Sequence, residues 1–307
     1  MEIVSLAAKQ IFTMFVIIIV AVVCYKKKLI DNNGNNVLSN LLLYLINPCI
    51  LFCSYQKEFD AKMMNGLLIS LALALASHLL GMLIAALFLR NKQADLVNER
   101  LAVIYTNCGF LAIPLVNEIY GYEGVFYLTA YITVFNFLIW SHGIICMRGS
   151  CEKKDMLKAV TSPASFAIIV GIIFYVAGII LPDFMMYPLE YLGDMNTPVA
   201  MLIAGVCIAQ TDITKTFKKP RIYLVCLLKL IILPLVFICI FKPFFGDGIL
   251  MGVLTIATAS PTATMCMIFA VKYDKNSTYA SELFAVTTLL SLITIPLSLF
   301  FLKVLPV

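Results

Sequence analysis

Thr106-Asn107-Cys108-Gly109-Phe110-Leu111-Ala112-Ile113-Pro114 lies inside one apolar run, and Thr255-Ile256-Ala257-Thr258-Ala259-Ser260-Pro261-Thr262-Ala263-Thr264 lies inside another. Each places a proline and small polar residues where a membrane helix should be uninterrupted. Proline removes a backbone donor and crowds the preceding turn. The carbonyls so freed need partners in protein or in a watered cavity, because lipid offers none. Paired interruptions at matching positions of two halves point to a transporter's binding site. If the two unwound segments cross, their half-helix N-termini aim partial positive charge and free N–H groups at one point, which suits an anion. The plainer alternative is a pair of kinks in packed helices.

The surrounding composition supports a membrane setting. Of the 307 residues, 62% are hydrophobic and 13% charged, and the mean hydropathy is +0.98. A soluble domain carries about 25% charged residues, so lipid must solvate much of this surface. With about 20 apolar residues per crossing, the runs 5–25, 37–55, 64–89, 101–119, 124–147, 160–181, 195–211, 222–242, 248–271 and 283–304 predict an all-α polytopic protein of ten spans. The first run is too long for a signal-peptide core, has no small-residue cleavage site and is followed by Lys26, Lys27 and Lys28.

Charge sets the expected orientation. With the N-terminus outside, the inner loops hold 16 basic residues, Lys92 and Lys215 among them, and the outer regions hold 5. By the positive-inside rule both termini face outward across the plasma (inner) membrane. Five spans then fall on each side of residue 157. An odd number per half puts the halves, 1–157 and 158–307, in opposite orientations, as in inverted-repeat carriers. Landmarks recur at one offset: Pro48 and Pro198 are 150 residues apart, Pro114 and Pro261 are 147 apart, and His78 and Lys229 are 151 apart.

Other classes fit poorly. The 10 cysteines lack zinc-ribbon or redox spacing and read as small hydrophobes. The +5 net charge is spread over short loops and does not indicate nucleic acid. No metal or cofactor motif occurs, and neither a His-Glu-x-x-His nor a Gly-x-Ser-x-Gly pattern supports an enzyme. No carboxylate falls mid-run, whereas His78 and Lys229 do. Ionisable groups inside a membrane mark transport paths, and two potential cations suit an anionic cargo. His78 is a candidate proton carrier or a hydrogen-bond partner for a neighbouring helix. Lys229, about 12 Å along a helix from Arg221 at 1.5 Å per residue, can instead snorkel to the inner headgroups.

With the Asn47-Pro48 motif, the Asn107-x-Gly109-Phe110-x-x-x-Pro114 run and the Ser260-Pro261-Thr262-Ala263 run, the chain resembles the auxin efflux carrier family along its whole length. The resemblance implies two inverted five-helix repeats and a homodimer. Spans 1, 2, 6 and 7 would form a dimerising scaffold, and spans 3–5 and 8–10 a bundle moving like an elevator. Broken spans 4 and 9 would cross beside the substrate. The link near residues 148–158 is short, which implies a compact bacterial-type permease. Asn47, Asn107, Gly109, Thr258, Ser260 and Thr262 are the candidate substrate-contact residues, with Pro114 and Pro261 at the crossing and His78 and Lys229 as charge-bearing groups. Amides and hydroxyls can replace a carboxylate's water. The expected function is export of a small organic anion. An inside-negative potential favours a monovalent anion leaving by about 2.3 kcal/mol per 100 mV. A sodium-coupled organic-anion symporter of the bile-acid type and an anion channel are the alternatives.

Overall fold

In the computed structural model, described over residues 2–90, 95–212, 216 and 218–305, every regular element is helical. Lys92 and Lys215, counted above among the inner-loop cations, lie outside these residues. In chain order the helices are α1 (Glu2–Lys26), α2 (Asn32–Cys53), α3 (Ala61–Phe88), α4 (Leu96–Ile104), α5 (Cys108–Arg148), α6 (Lys153–Thr161) and α7 (Pro163–Ala177). They continue as α8 (Asp183–Asp194), α9 (Asn196–Ala209), α10 (Pro220–Phe245), α11 (Ile249–Ala259), α12 (Thr264–Lys272) and α13 (Ser277–Val304).

Among the described residues, 7 segments are long and apolar enough to cross a membrane, and the pair α6–α7, bent by 55°, makes an eighth. The chain is therefore a polytopic membrane protein. The difference from the ten expected spans has local causes. The expected ninth span is divided into α11 and α12, of 11 and 9 residues, each too short alone. The fourth and fifth expected spans become α4 and the 41-residue run α5, which holds two helices joined across a kink. Gly121 interrupts the run at φ 61°, ψ −160°, a conformation that a Cβ would oppose. Helix α8 falls between the sixth and seventh expected spans, where Asp183, Pro188, Glu190 and Asp194 break the apolar pattern. It forms nonetheless, with Asp183 in its first turn and Phe184, Tyr187 and Tyr191 exposed.

Prolines bend this fold less than their positions suggest. Pro48, Pro114 and Pro234 each follow a widened π turn, at Leu42–Ile46, Cys108–Ala112 and Leu228–Ile232. Just before each proline, Asn47, Ile113 and Leu233 donate to the carbonyls of Leu42, Cys108 and Leu228, one residue beyond the usual partner. The wider turn accommodates the ring and the missing donor without ending the helix.

Helix α1 runs along α9, where Gly205 makes the approach possible: a Cβ there would meet the Ala21 Cβ at 2.5 Å and the Ile18 carbonyl at 2.6 Å. Small residues let membrane helices pack backbone to backbone. Helix α3 lies along α5, and α11 packs against α5, α10 and α13. The core includes Tyr105, Phe126, Tyr131, Ile256 and Phe284, whereas Phe12, Leu68, Leu83, Phe166, Ile173 and Ile293 are exposed. This distribution suits a protein solvated by acyl chains.

Candidate functional site

The two interrupted segments meet. Helix α4 stops at Ile104, and Tyr105 is extended at φ −99°, ψ 124°. Helix α11 stops at Ala259, with Ser260 at φ −63°, ψ 148°. Thr106 and Thr262 pair in an isolated antiparallel bridge. The Asn107 N–H donates to the Pro261 carbonyl at 2.7 Å, and the Ala263 N–H donates to the Tyr105 carbonyl at 3.0 Å. Each break thus meets backbone demands that the other creates, as lipid requires.

Side chains complete the second break. Thr262 Oγ1 donates to the Ala102 carbonyl at 3.2 Å, one of the carbonyls left over at the end of α4. Its N–H donates to Thr287 Oγ1 at 3.2 Å. Ser260 Oγ donates to the Ile256 carbonyl at 2.8 Å. Thr258 Oγ1 lies 3.0 Å from Ser77 Oγ, which lies 3.2 Å from the Tyr131 hydroxyl. All three candidate hydroxyls of this segment are buried and hydrogen-bonded within the protein.

The first break is different. Asn107 caps α5, its Oδ1 accepting from the Phe110 N–H at 3.3 Å, and its Nδ2 has no hydrogen-bond partner among the described residues. Asn47 Nδ2 donates to the Gly109 carbonyl at 3.4 Å, and Asn47 Oδ1 accepts from Asn196 Nδ2 at 2.6 Å. Asn47, Asn107 and Gly109 line a cavity of about 650 Å³, shared with Asn40, Thr106, Asn136, Trp140, Lys158, Thr161, Ser162 and Thr264. No carboxylate is among its described lining residues. The first turns of α5 (Cys108, Gly109, Phe110) and of α12 (Thr264, Met265) both border it. The Cys108 and Phe110 N–H groups are already taken, by the Thr106 carbonyl and Asn107 Oδ1, so the α5 end offers chiefly the positive end of its helix dipole.

The other candidates lie away from this cavity. Thr258, Ser260, Thr262, His78 and Lys229 are not in its wall. Pro261 sits in the second break, but Pro114 sits inside α5, downstream of the first break, because the π turn absorbs it. Lys229 does not snorkel: it is fully buried, and its Nζ has no partner among the described residues. His78 is also fully buried. Its Nδ1 donates to the Ala74 carbonyl of its own helix at 2.8 Å, and its ring lies tilted by 43° against that of Tyr131, centroids 4.9 Å apart.

Two features escaped the sequence reading. Asn196 was detectable, since it follows Asn47 by 149 residues, close to the offset separating the prolines. Glu99 sits just before the expected start of its span, yet it is 1% exposed. Arg221 Nε donates to both its oxygens, at 2.8 and 2.9 Å, and the Tyr279 hydroxyl donates to Oε1 at 3.1 Å. These contacts tie α4 to α10 and α13.

A family of membrane transport proteins matches the chain over residues 6–299. The chain belongs to that family, the auxin efflux carrier-like transporters. An uncharacterized transporter of Methanothermobacter thermautotrophicus is 24% identical to it over 268 residues, which is 85% of this chain and 87% of the relative. The transporter therefore carries its paired breaks and their cavity within a family defined by moving solutes across membranes.

Proposed function

We propose that this transporter exports a small organic anion, a carboxylate, across the plasma membrane by alternating access. The observation that carries this reading is the cavity wall. It presents amides, hydroxyls, two helix N-termini and the Lys158 ammonium, with no carboxylate among its described residues. A small anion would find donors in place of water there, whereas a cation would lack a counter-charge.

The reading includes an architecture. Ten spans form two inverted repeats, 1–157 and 158–307, with both termini outside. One bundle carries the crossing past a scaffold that dimerises. Asn107 and Asn47 contact the cargo through the amide nitrogen and the polarised Gly109 region, while Thr258, Ser260 and Thr262 hold the crossing in shape. His78 and Lys229 set the local charge balance behind it.

Counterflow in proteoliposomes tests the function. Vesicles preloaded with malate, another dicarboxylate or indole-acetate should accumulate the same labelled acid saturably, without a sodium gradient. Strict dependence on sodium would favour the symporter reading. Unsaturable flux with ion conductance would favour a channel. No exchange of any of these acids by folded protein would count against a carboxylate carrier.

A further inference from the structure

Where the cavity wall meets the linker helix α6, three separate segments converge on one indole. Trp140 lies in a π turn of α5 at Ile139–Gly143 and packs edge-on against Phe269 of α12, with centroids 5.4 Å apart. Lys158 of α6 places its Nζ 5.4 Å from the Trp140 ring centroid, and Lys272, at the end of α12, places its Nζ 5.9 Å from the same centroid. Trp140 and Lys158 both line the cavity.

Little neutralises these cations. The carboxylate nearest Lys158 is Asp155, at 3.8 Å. Asp155 already binds Arg148 at 2.8 Å and accepts the Glu152 N–H at 3.2 Å in the cap of α6. Lys158 remains 45% exposed, and Lys272 makes no ion pair with a described carboxylate. A ring face attracts a cation without cancelling its charge. The indole therefore positions two ammonium groups that stay available to a third party.

Resting on the proposed anion transport, we infer that Lys158 and Lys272, seated on Trp140, form a port that draws small anions into the cavity and discriminates against cations. The port precedes the Asn107 site on the entry path and acts on capture. Potentials at a mouth lined by one sign of charge raise the local concentration of the opposite ion. The port is also composite, because α5, α6 and α12 each supply one member.

Trp140 is the protein's 1 tryptophan, so its fluorescence reads the port directly. Quenching by iodide, an anion, is compared with quenching by neutral acrylamide in phosphatidylcholine nanodiscs. The iodide-to-acrylamide ratio should fall about threefold in Lys158→Gln, fall further in Lys158→Gln/Lys272→Gln, and shrink in the native protein as added salt screens the field. An unchanged ratio in the double variant overturns the port. Loss of the native iodide preference only when phosphatidylglycerol is added would make it a headgroup seat, and also overturns it. In malate counterflow, Lys272→Gln, which leaves the cavity wall intact, should raise KM about threefold with the maximal rate retained, as expected for loss of steering; an unchanged KM overturns the entry role. If the native protein exchanges no carboxylate, the transport reading fails while the quenching ratio still judges the port.

Discussion

The two breaks have the same kind of sequence and opposite uses of it. At the second, Ser260 and Thr262 spend their hydroxyls on carbonyls, and Thr258 joins a buried chain of hydroxyls. At the first, Asn107 keeps one amide end in a helix cap and leaves the other facing a cavity. Proline and small polar residues inside a membrane helix thus mark a place where backbone must be re-satisfied. They do not say whether the polar side chains do that work or are left over for a ligand. Hydroxyls bond readily within their own turn, whereas the primary amide of Asn carries enough donors and acceptors to do both.

The comparison breaks most easily at Asn107. Asn107→Asp keeps an oxygen to cap α5 but puts a negative charge in the cavity wall. Like charges in contact cost several kcal/mol, so carboxylate exchange should fall about 100-fold or more. Counterflow at fixed amounts of folded protein measures it, and near-native exchange would mean that the cargo does not sit there.

At the second break the effect should move to stability. Thr262→Val leaves the buried Ala102 carbonyl without its donor, a loss of about 1–3 kcal/mol. Thermal unfolding in detergent should show this, with the KM for exchange unchanged. A shifted KM with unaltered stability would reverse the roles assigned to the two breaks.

Asn196→Ala sharpens the picture on the cavity side. Removing the donor that holds Asn47 Oδ1 frees the Asn47 amide to turn from Gly109. We expect KM to rise about tenfold, equivalent to about 1.4 kcal/mol, with a smaller change in maximal rate. Kinetics indistinguishable from native would make the Asn47–Asn196 pair purely a packing contact. The smallest effect belongs to Ser260→Ala. Its hydroxyl supplies the donor to the buried Ile256 carbonyl, because the Ser260 N–H turns to Ala257; the bond is a local back-bond, so unfolding should shift by about 1 kcal/mol, the low end of the cost of an unmet acceptor, with KM unchanged.

These residues also show what a sequence can disclose. Apolar length and the low share of charged residues made the membrane class legible, and Pro261 among hydroxyls marked the second break. The first break was harder to place, because Pro114 is the visible irregularity and the Cys108–Ala112 π turn hides it. The cavity's other walls were not legible. Trp140, Lys158 and Thr264 come from three helices, and nothing in their local sequence encodes that they converge. The Glu99–Arg221 pair is separated by 122 residues, so neither charge alone revealed that the two meet. Asn196 was within reach, since the spacing that aligned the prolines nearly selects it.

The joint between the breaks is made of main chain. The Asn107 amide and the Pro261 carbonyl, and the Ala263 amide and the Tyr105 carbonyl, would persist under most exchanges of the side chains around them. Changing the side chains of the cavity is thereby uncoupled from keeping the joint. A designer could rewrite Asn107 and its neighbours toward a larger or differently charged solute without cutting the main-chain bonds that fasten the two breaks to each other.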